Sequence, residues 1–179
     1  MSIGILEFLN IAEAYFIIDK VLKGYNLSVL KAMRICPGKF LAIFSGNTAD
    51  IISMIKYIEE QNLNTVKFSY VTGIHKETVN AITGKKETKN IENIGIIEVK
   101  NAVNSFIILN TLVTSFPISI IKIDYSMGLF GKAIIFINGN QSDIENAIKT
   151  SYEVLSQKTV TDARVISSPC EEFIACLVK

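Results

Sequence analysis

The soft donors of this chain are three cysteines and one histidine: Cys36, Cys170, Cys176 and His75. Cys36 stands in the stretch MRICPGKFLAIFSG, directly ahead of Pro37 and Gly38 and between two runs of strand-forming residues. Pro and Gly side by side favour a tight turn, so the thiol is expected at the tip of a hairpin. Deprotonated there, it can ligate a soft metal or an iron–sulfur cluster. Left protonated, it is a small inert side chain. Clusters usually take four thiolates, often at short spacing. Neither of the other cysteines is near Cys36 in sequence, so only symmetry between chains would bring several such thiols together.

His75, Cys170 and Cys176 are the other conceivable metal set, but their spacing follows no structural zinc pattern. His75 is expected to cap a helix or face solvent. Cys176 falls on the apolar side of a final helix with Phe173 and Leu177 and is expected in the core. Acid–base or hydrolytic catalysis has little to stand on. The sole histidine has no identifiable nucleophile partner, and no phosphate-binding glycine loop is present. The chain is expected not to be an enzyme.

An apolar content of 49% over 179 residues is that of a folded chain. Lys and Arg number 18 against 17 for Asp and Glu, a balance that gives no field to draw nucleic acid or anionic lipid. Neither is expected as a partner. A mean hydropathy of +0.36 is high for a domain of this size and points to apolar surface covered by other subunits. Three unevenly spaced cysteines suit reduced thiols, and MSIGILEFLN has no basic leader, so a cytoplasmic location is expected. The 21 residues Asn101–Ile121 carry no charge and are long enough to span a bilayer, yet they hold many Asn, Ser and Thr and are broken by Pro117. They are expected to be a helix and strand, not a membrane span.

The elements that would position Cys36 occur twice. IGILE at Ile3–Glu7 returns as IGIIE at Ile94–Glu98, and GKFLAIFSGNTADI at Gly38–Ile51 returns as GKAIIFINGNQSDI at Gly131–Ile144. Ser28 and Lys31 match Ser119 and Lys122, so the two residues gained by the second copy fall in the loop that matches Cys36. A period of roughly 90 residues is too long for a solenoid and suits two small fused domains. Thr83–Asn90, TGKKETKN, has the composition of an exposed connector. The expected organisation is a first domain over 1–83, a linker over 84–91 and a second domain over 92–179.

Within each copy the pattern is strand, helix, strand, tight turn, strand, helix, strand, short helix. Ile3, Ile5 and Phe8 open a strand; Ile11, Ala14, Tyr15, Ile18, Val21 and Leu22 recur at helical spacing. NLSVLKAMRI and KFLAIFSG form a hairpin, Asn47 and Thr48 cap a helix bearing Ile51, Ile52, Ile55 and Ile58, TVKFSYV closes the sheet, and His75–Ile82 is a short final helix. The fold class is α+β, with two tandem ferredoxin-like domains.

That order, with IGILE at the start, LKGYNL before the second strand and GNTADI after the hairpin, resembles the shell-protein domain of bacterial microcompartments. ICPGKF narrows the resemblance to the tandem-domain type of propanediol-utilisation shells, whose trimers carry an iron–sulfur cluster at a central pore. The resemblance implies a homotrimer acting as a pseudo-hexamer, tiled with other shell proteins around metabolic enzymes. It further implies that Cys36 of three chains holds one 4Fe-4S cluster per trimer on the three-fold axis, with a non-protein ligand on the fourth iron. An encapsulated or cytosolic redox protein would then exchange electrons with it. The pore loops would be Cys36, Pro37 and Gly38 from the first copy and Ser126, Met127, Gly128 and Leu129 from the second. Lys23 aligns with the family's lysine at the edge between tiles, where the second copy has Thr114. The family's Pro-Arg-Pro-His near the last strand is replaced by Thr72–His75 and by Ser167–Cys170.

Two other functions remain open at the level of sequence. One is a passive shell pore for a small metabolite, merely lined by Cys36. The other is a ferredoxin-like metal-binding or sensory protein unrelated to shells.

Overall fold

Ile3, Ile5, Leu6 and Phe8 lie in a strand, β1 (Ser2–Phe8), that is buried at every position, as an apolar run paired on both edges should be. The computed structural model describes residues 1–85, 90–125, 131–155 and 159–178. From β1 the chain runs through α1 (Ile11–Gly24), β2 (Ser28–Ile35), β3 (Lys39–Gly46), α2 (Thr48–Glu60), β4 (Val66–Val71) and α3 (Lys76–Thr83). It then repeats the order as β5 (Asn93–Val99), α4 (Ala102–Ser115), β6 (Ser119–Asp124), β7 (Ala133–Gly139), α5 (Gln141–Glu153), β8 (Val160–Ser167) and α6 (Glu171–Leu177). Each copy builds one antiparallel four-stranded sheet, ordered β2-β3-β1-β4 and β6-β7-β5-β8. This is the ferredoxin-like arrangement expected from the order of the elements.

Register makes the two copies comparable residue by residue. Ile3 pairs with Val71 and Ile94 with Ile166, so β8 matches β4 and the start of α6 at Glu171 matches that of α3 at Lys76. The hairpins share a defect as well: the β2–β3 register shifts between Val29 and Lys31, and the β6–β7 register between Ile120 and Lys122. Asn47 and Asn140 cap the matching helices α2 and α5, each side-chain oxygen accepting from the backbone N–H three residues on.

The glycine in each IGI motif answers to crowding. A Cβ added at Gly4 would collide with Met54 Cε, and one at Gly95 would meet Ile137 and Ile144 atoms at 2.7 to 2.9 Å. Only a bare backbone lets side chains of the covering helix and, at Gly95, of the paired strand approach this closely.

By packing, the chain divides into two units. The first holds Met1–Ile74 with Tyr125 and Gly131; the second holds His75–Asp124 and the chain from Lys132 onward. Leu6, Phe8, Ala14, Ile17, Val21, Phe44, Ile51 and Met54 are central to the first core, and Ile97, Leu109, Leu112, Ile135, Ile137 and Ile144 to the second. Although α3 follows β4 in sequence, it belongs to the second unit and packs on α4 and β6.

The helical spacing from Ile11 to Leu22 is that of α1, whose buried residues are Ala14, Ile17 and Val21, whereas Tyr15 is 60% and Leu22 41% exposed. One expectation needs correction. Cys176 is exposed, not in the core, because α6 turns only Leu177 inward. Among the described residues no helix is long and apolar enough to cross a membrane; Asn101–Ile121 is α4, a short turn and the start of β6.

Candidate functional site

Cys36 follows directly on Ile35, the buried last residue of β2, and opens the turn into β3. Ile35 pairs with Lys39 across that turn, leaving Pro37 and Gly38 exposed and the thiol half-buried. The Cys36–Pro37 peptide is cis, and Gly38 has φ +64°, a left-handed conformation that costs other residues about 1–2 kcal/mol. The thiol is thus held at a short, well-defined hairpin tip, as the Cys-Pro-Gly order suggested.

Lys39 fastens the base of this hairpin to the centre of the sheet. Its Nζ donates to Glu7 Oε1 at 2.6 Å, with the Glu7 side chain fully buried. Glu7 Oε2 has no hydrogen-bond partner among the described residues. Gly131 belongs to the same unit: a Cβ built there would lie 3.1 Å from Lys39 Nζ and 3.6 Å from the Cys36 carbonyl oxygen. Ser126, Met127, Gly128 and Leu129, the expected second-copy pore loop, lie outside the described residues.

The second copy repeats the anchor in wetter surroundings. Lys132 Nζ pairs with Glu98 Oε1 at 2.5 Å, and Thr161 Oγ1 donates to the same oxygen at 2.8 Å. These hydrogen bonds, Lys132 first and Thr161 second, hold the Glu98 carboxyl below its ordinary range. Sequence reasoning missed both pairs although the signal was present: Glu ends each IGI motif, and Lys follows the matched glycine at 38 and at 131.

The other singled-out residues have separate surroundings. His75 caps α3, its Nδ1 accepting from the Glu77 N–H at 3.3 Å, which agrees with a capping role. Cys170 occupies the cap position of α6 and is exposed. Lys23, in the last turn of α1, pairs with Asp19 at 2.6 Å and has a side chain 75% exposed. It borders a shallow pocket shared with Lys20, Gly24, Tyr25 and Tyr57.

Among the described residues no three His, Cys, Asp or Glu side chains gather into a metal site. Cys36 therefore offers one soft ligand per chain. That donor fits one corner of a cluster shared between chains and does not fit a cluster held by a single chain.

Comparisons with known proteins agree with this architecture. The BMC domain matches residues 2–74 and again residues 93–169. The chain is 27% identical, over 96% of its length and 95% of the relative's, to the bacterial microcompartment shell protein PduT of Citrobacter freundii. Among solved structures it is similar to a microcompartment protein from Desulfitobacterium hafniense, with a TM-score of 0.88 and 24% identity over 98% of both chains. A double-ringed trimeric shell protein of the RMM microcompartment shares the fold at a TM-score of 0.64 and 15% identity, over 87% of this chain and 82% of the other.

Proposed function

Because the chain belongs to the BMC domain family and carries that domain twice, we propose that it is a structural building block of a bacterial microcompartment shell, located in the cytoplasm. It assembles as a homotrimer, so that six domains close one ring, and tiles with other shell proteins through edges that include Lys23. The likeness to a shell protein along nearly the whole of both chains supports this reading. Its role is architectural and not catalytic.

The finer function is supported by a single observation: a half-buried thiol at the tip of a glycine-supported hairpin, which joins no group of three His, Cys, Asp or Glu side chains among the described residues. On this reading Cys36 of three chains binds one 4Fe-4S cluster on the three-fold axis. Such a cluster supplies reversible one-electron transfer, here across the shell to an enclosed or cytosolic redox protein. The chain's own residues do the positioning. Gly38 lets the turn stay tight, and the Lys39–Glu7 pair ties its base to β1.

Anaerobically reconstituted protein is expected to be brown with about four irons per trimer, as the cluster type requires. Cys36→Ser should lose the iron and keep the oligomer, while Cys170→Ser and Cys176→Ser keep both. A colourless wild-type protein, or full iron in Cys36→Ser, would leave the passive metabolite pore as the better reading. Native mass spectrometry is expected to give three times 19.8 kDa. A monomer or dimer would remove the trimer itself.

A further inference from the structure

The α3 helix is bound in a specific way. The backbone N–H of His75 donates to Asn110 Oδ1 at 2.8 Å, and Thr78 Oγ1 donates to the same oxygen at 3.3 Å. Glu77 Oε2 accepts from the N–H of Ile120 at 2.9 Å, beside the β6 bulge. The stripe of α4 that carries Asn110 also presents Val103, Phe106 and Val113, and all four are buried.

The matching stripe of α1 is Ala12, Tyr15, Asp19 and Leu22, and all four are exposed. Val29, the match of Ile120, is exposed too. The matching helix, α6, is likewise open: Phe173, which corresponds to Thr78, is 37% exposed, and Glu171, Glu172 and Cys176 are exposed. So the chain forms the hydrogen bonds of this joint once, from α3 to Asn110 and Ile120, and separately leaves both halves of a second one exposed.

We propose that α6 of one chain seats on the α1 stripe of the next copy of the same chain, repeating the seat of α3 on α4. Register assigns the contacts. The Cys170 N–H takes the place of the His75 N–H and donates to the Asp19 carboxylate. Glu172 takes the place of Glu77 and accepts from the Val29 N–H. Phe173 replaces the Thr78 hydroxyl with an aromatic ring lying on Tyr15 and Leu22.

Charge agrees with this occupant. The first turn of α6 carries Glu171 and Glu172, while α1 carries Lys20 next to Asp19. Thr114, the match of Lys23, stays exposed beside the seated α3, so Lys23 remains available at the rim when α6 is bound. The joint is heterologous, a donor helix on one chain and an acceptor stripe on the next, and such joints close into rings or run on as filaments. Closure at three rests on the trimer reading above.

Paired cysteines test the joint directly. Asp19→Cys with Phe173→Cys, in a chain whose Cys36, Cys170 and Cys176 are Ser, should oxidise to a reducible ladder of one, two and three chains that stops at three. Phe173→Glu alone should weaken association at least tenfold while the far-ultraviolet circular dichroism stays unchanged. A protein still trimeric by native mass but without the cross-link would overturn the seat and leave the trimer standing. A monomer by native mass would overturn the trimer reading and the seat with it. Cross-links confined to single chains would also overturn the seat, whereas a ladder running past three would keep the seat and overturn closure at three.

Discussion

Lys39 and Glu7 form an ion pair at 2.6 Å in which the carboxylate is fully buried and the ammonium is only 16% exposed. One end of the pair belongs to the central strand and the other stands three residues after the candidate ligand, so the pair links the sheet's interior to the hairpin tip. A charge buried this way is costly to leave alone.

Lys39→Met should therefore lower the free energy of unfolding by about 3 kcal/mol, because it strands the Glu7 carboxylate in the interior. The double variant Glu7→Gln with Lys39→Met should lose less than the single one, since no ion is then left unpaired. Urea denaturation of both proteins checks the order. A single variant as stable as wild type would mean that the pair does not hold the hairpin.

Gly95→Ala and Gly4→Ala should differ. At Gly95 the new methyl meets two fully buried isoleucines of the second core, and overpacking of this kind costs about 1–3 kcal/mol. At Gly4 the nearest obstacle is the end of the Met54 side chain, a flexible thioether that can swing aside. Denaturation midpoints should fall further for Gly95→Ala, and equal midpoints would contradict the argument.

Glu98 should titrate below an ordinary glutamate, because Lys132 and Thr161 donate to its charged form. A depressed folded-state value stabilises the protein above the unfolded value, about 4.3, and that stability is lost as pH falls through the folded value. Lys132→Met should raise the Glu98 midpoint in a carboxyl NMR titration and flatten the acid limb of the stability profile. An unmoved midpoint would assign the shift elsewhere.

Lys23→Ala should leave the native mass unchanged and shorten the sheets that the protein forms. An exposed polar contact is worth about 1 kcal/mol or less, but a tiled array repeats the loss at every edge that uses it. Electron microscopy showing sheets as extended as those of wild type would take Lys23 out of the edge.

The elements themselves were legible in the sequence because each has a strong local cause. Asn47 and Asn140 cap, Pro37 and Gly38 turn, and the isoleucines of β1 and α2 follow strand and helix periods. Cys36 at a hairpin tip was legible for the same reason. The Glu7–Lys39 pair was signalled only by its recurrence as Glu98 and Lys132, since the contact itself depends on strand register between segments more than thirty residues apart. The seat of α3 was not legible, since its place in the chain argues for the first unit while its hydrogen bonds go to Asn110 in the second. Tyr15, Leu22 and Cys176 show the remaining limit: spacing identifies an apolar stripe without saying whether it faces the core.

The two copies differ in length at the very turn where Cys36 lies, because the matching loop is two residues longer and holds no cysteine. In a ring of single-domain chains every loop at the axis is the same gene product, so a six-fold ring carries six thiols or none. Duplication within one gene lifts that restriction. On the proposed reading, with the thiol in one copy and not in the other, the donor count at the axis would be half the domain count. An odd number of ligands could then be selected by mutation in one repeat without altering the other. Fusion of two domains in one gene would thereby act as a control on coordination stoichiometry, separate from the control it gives over assembly.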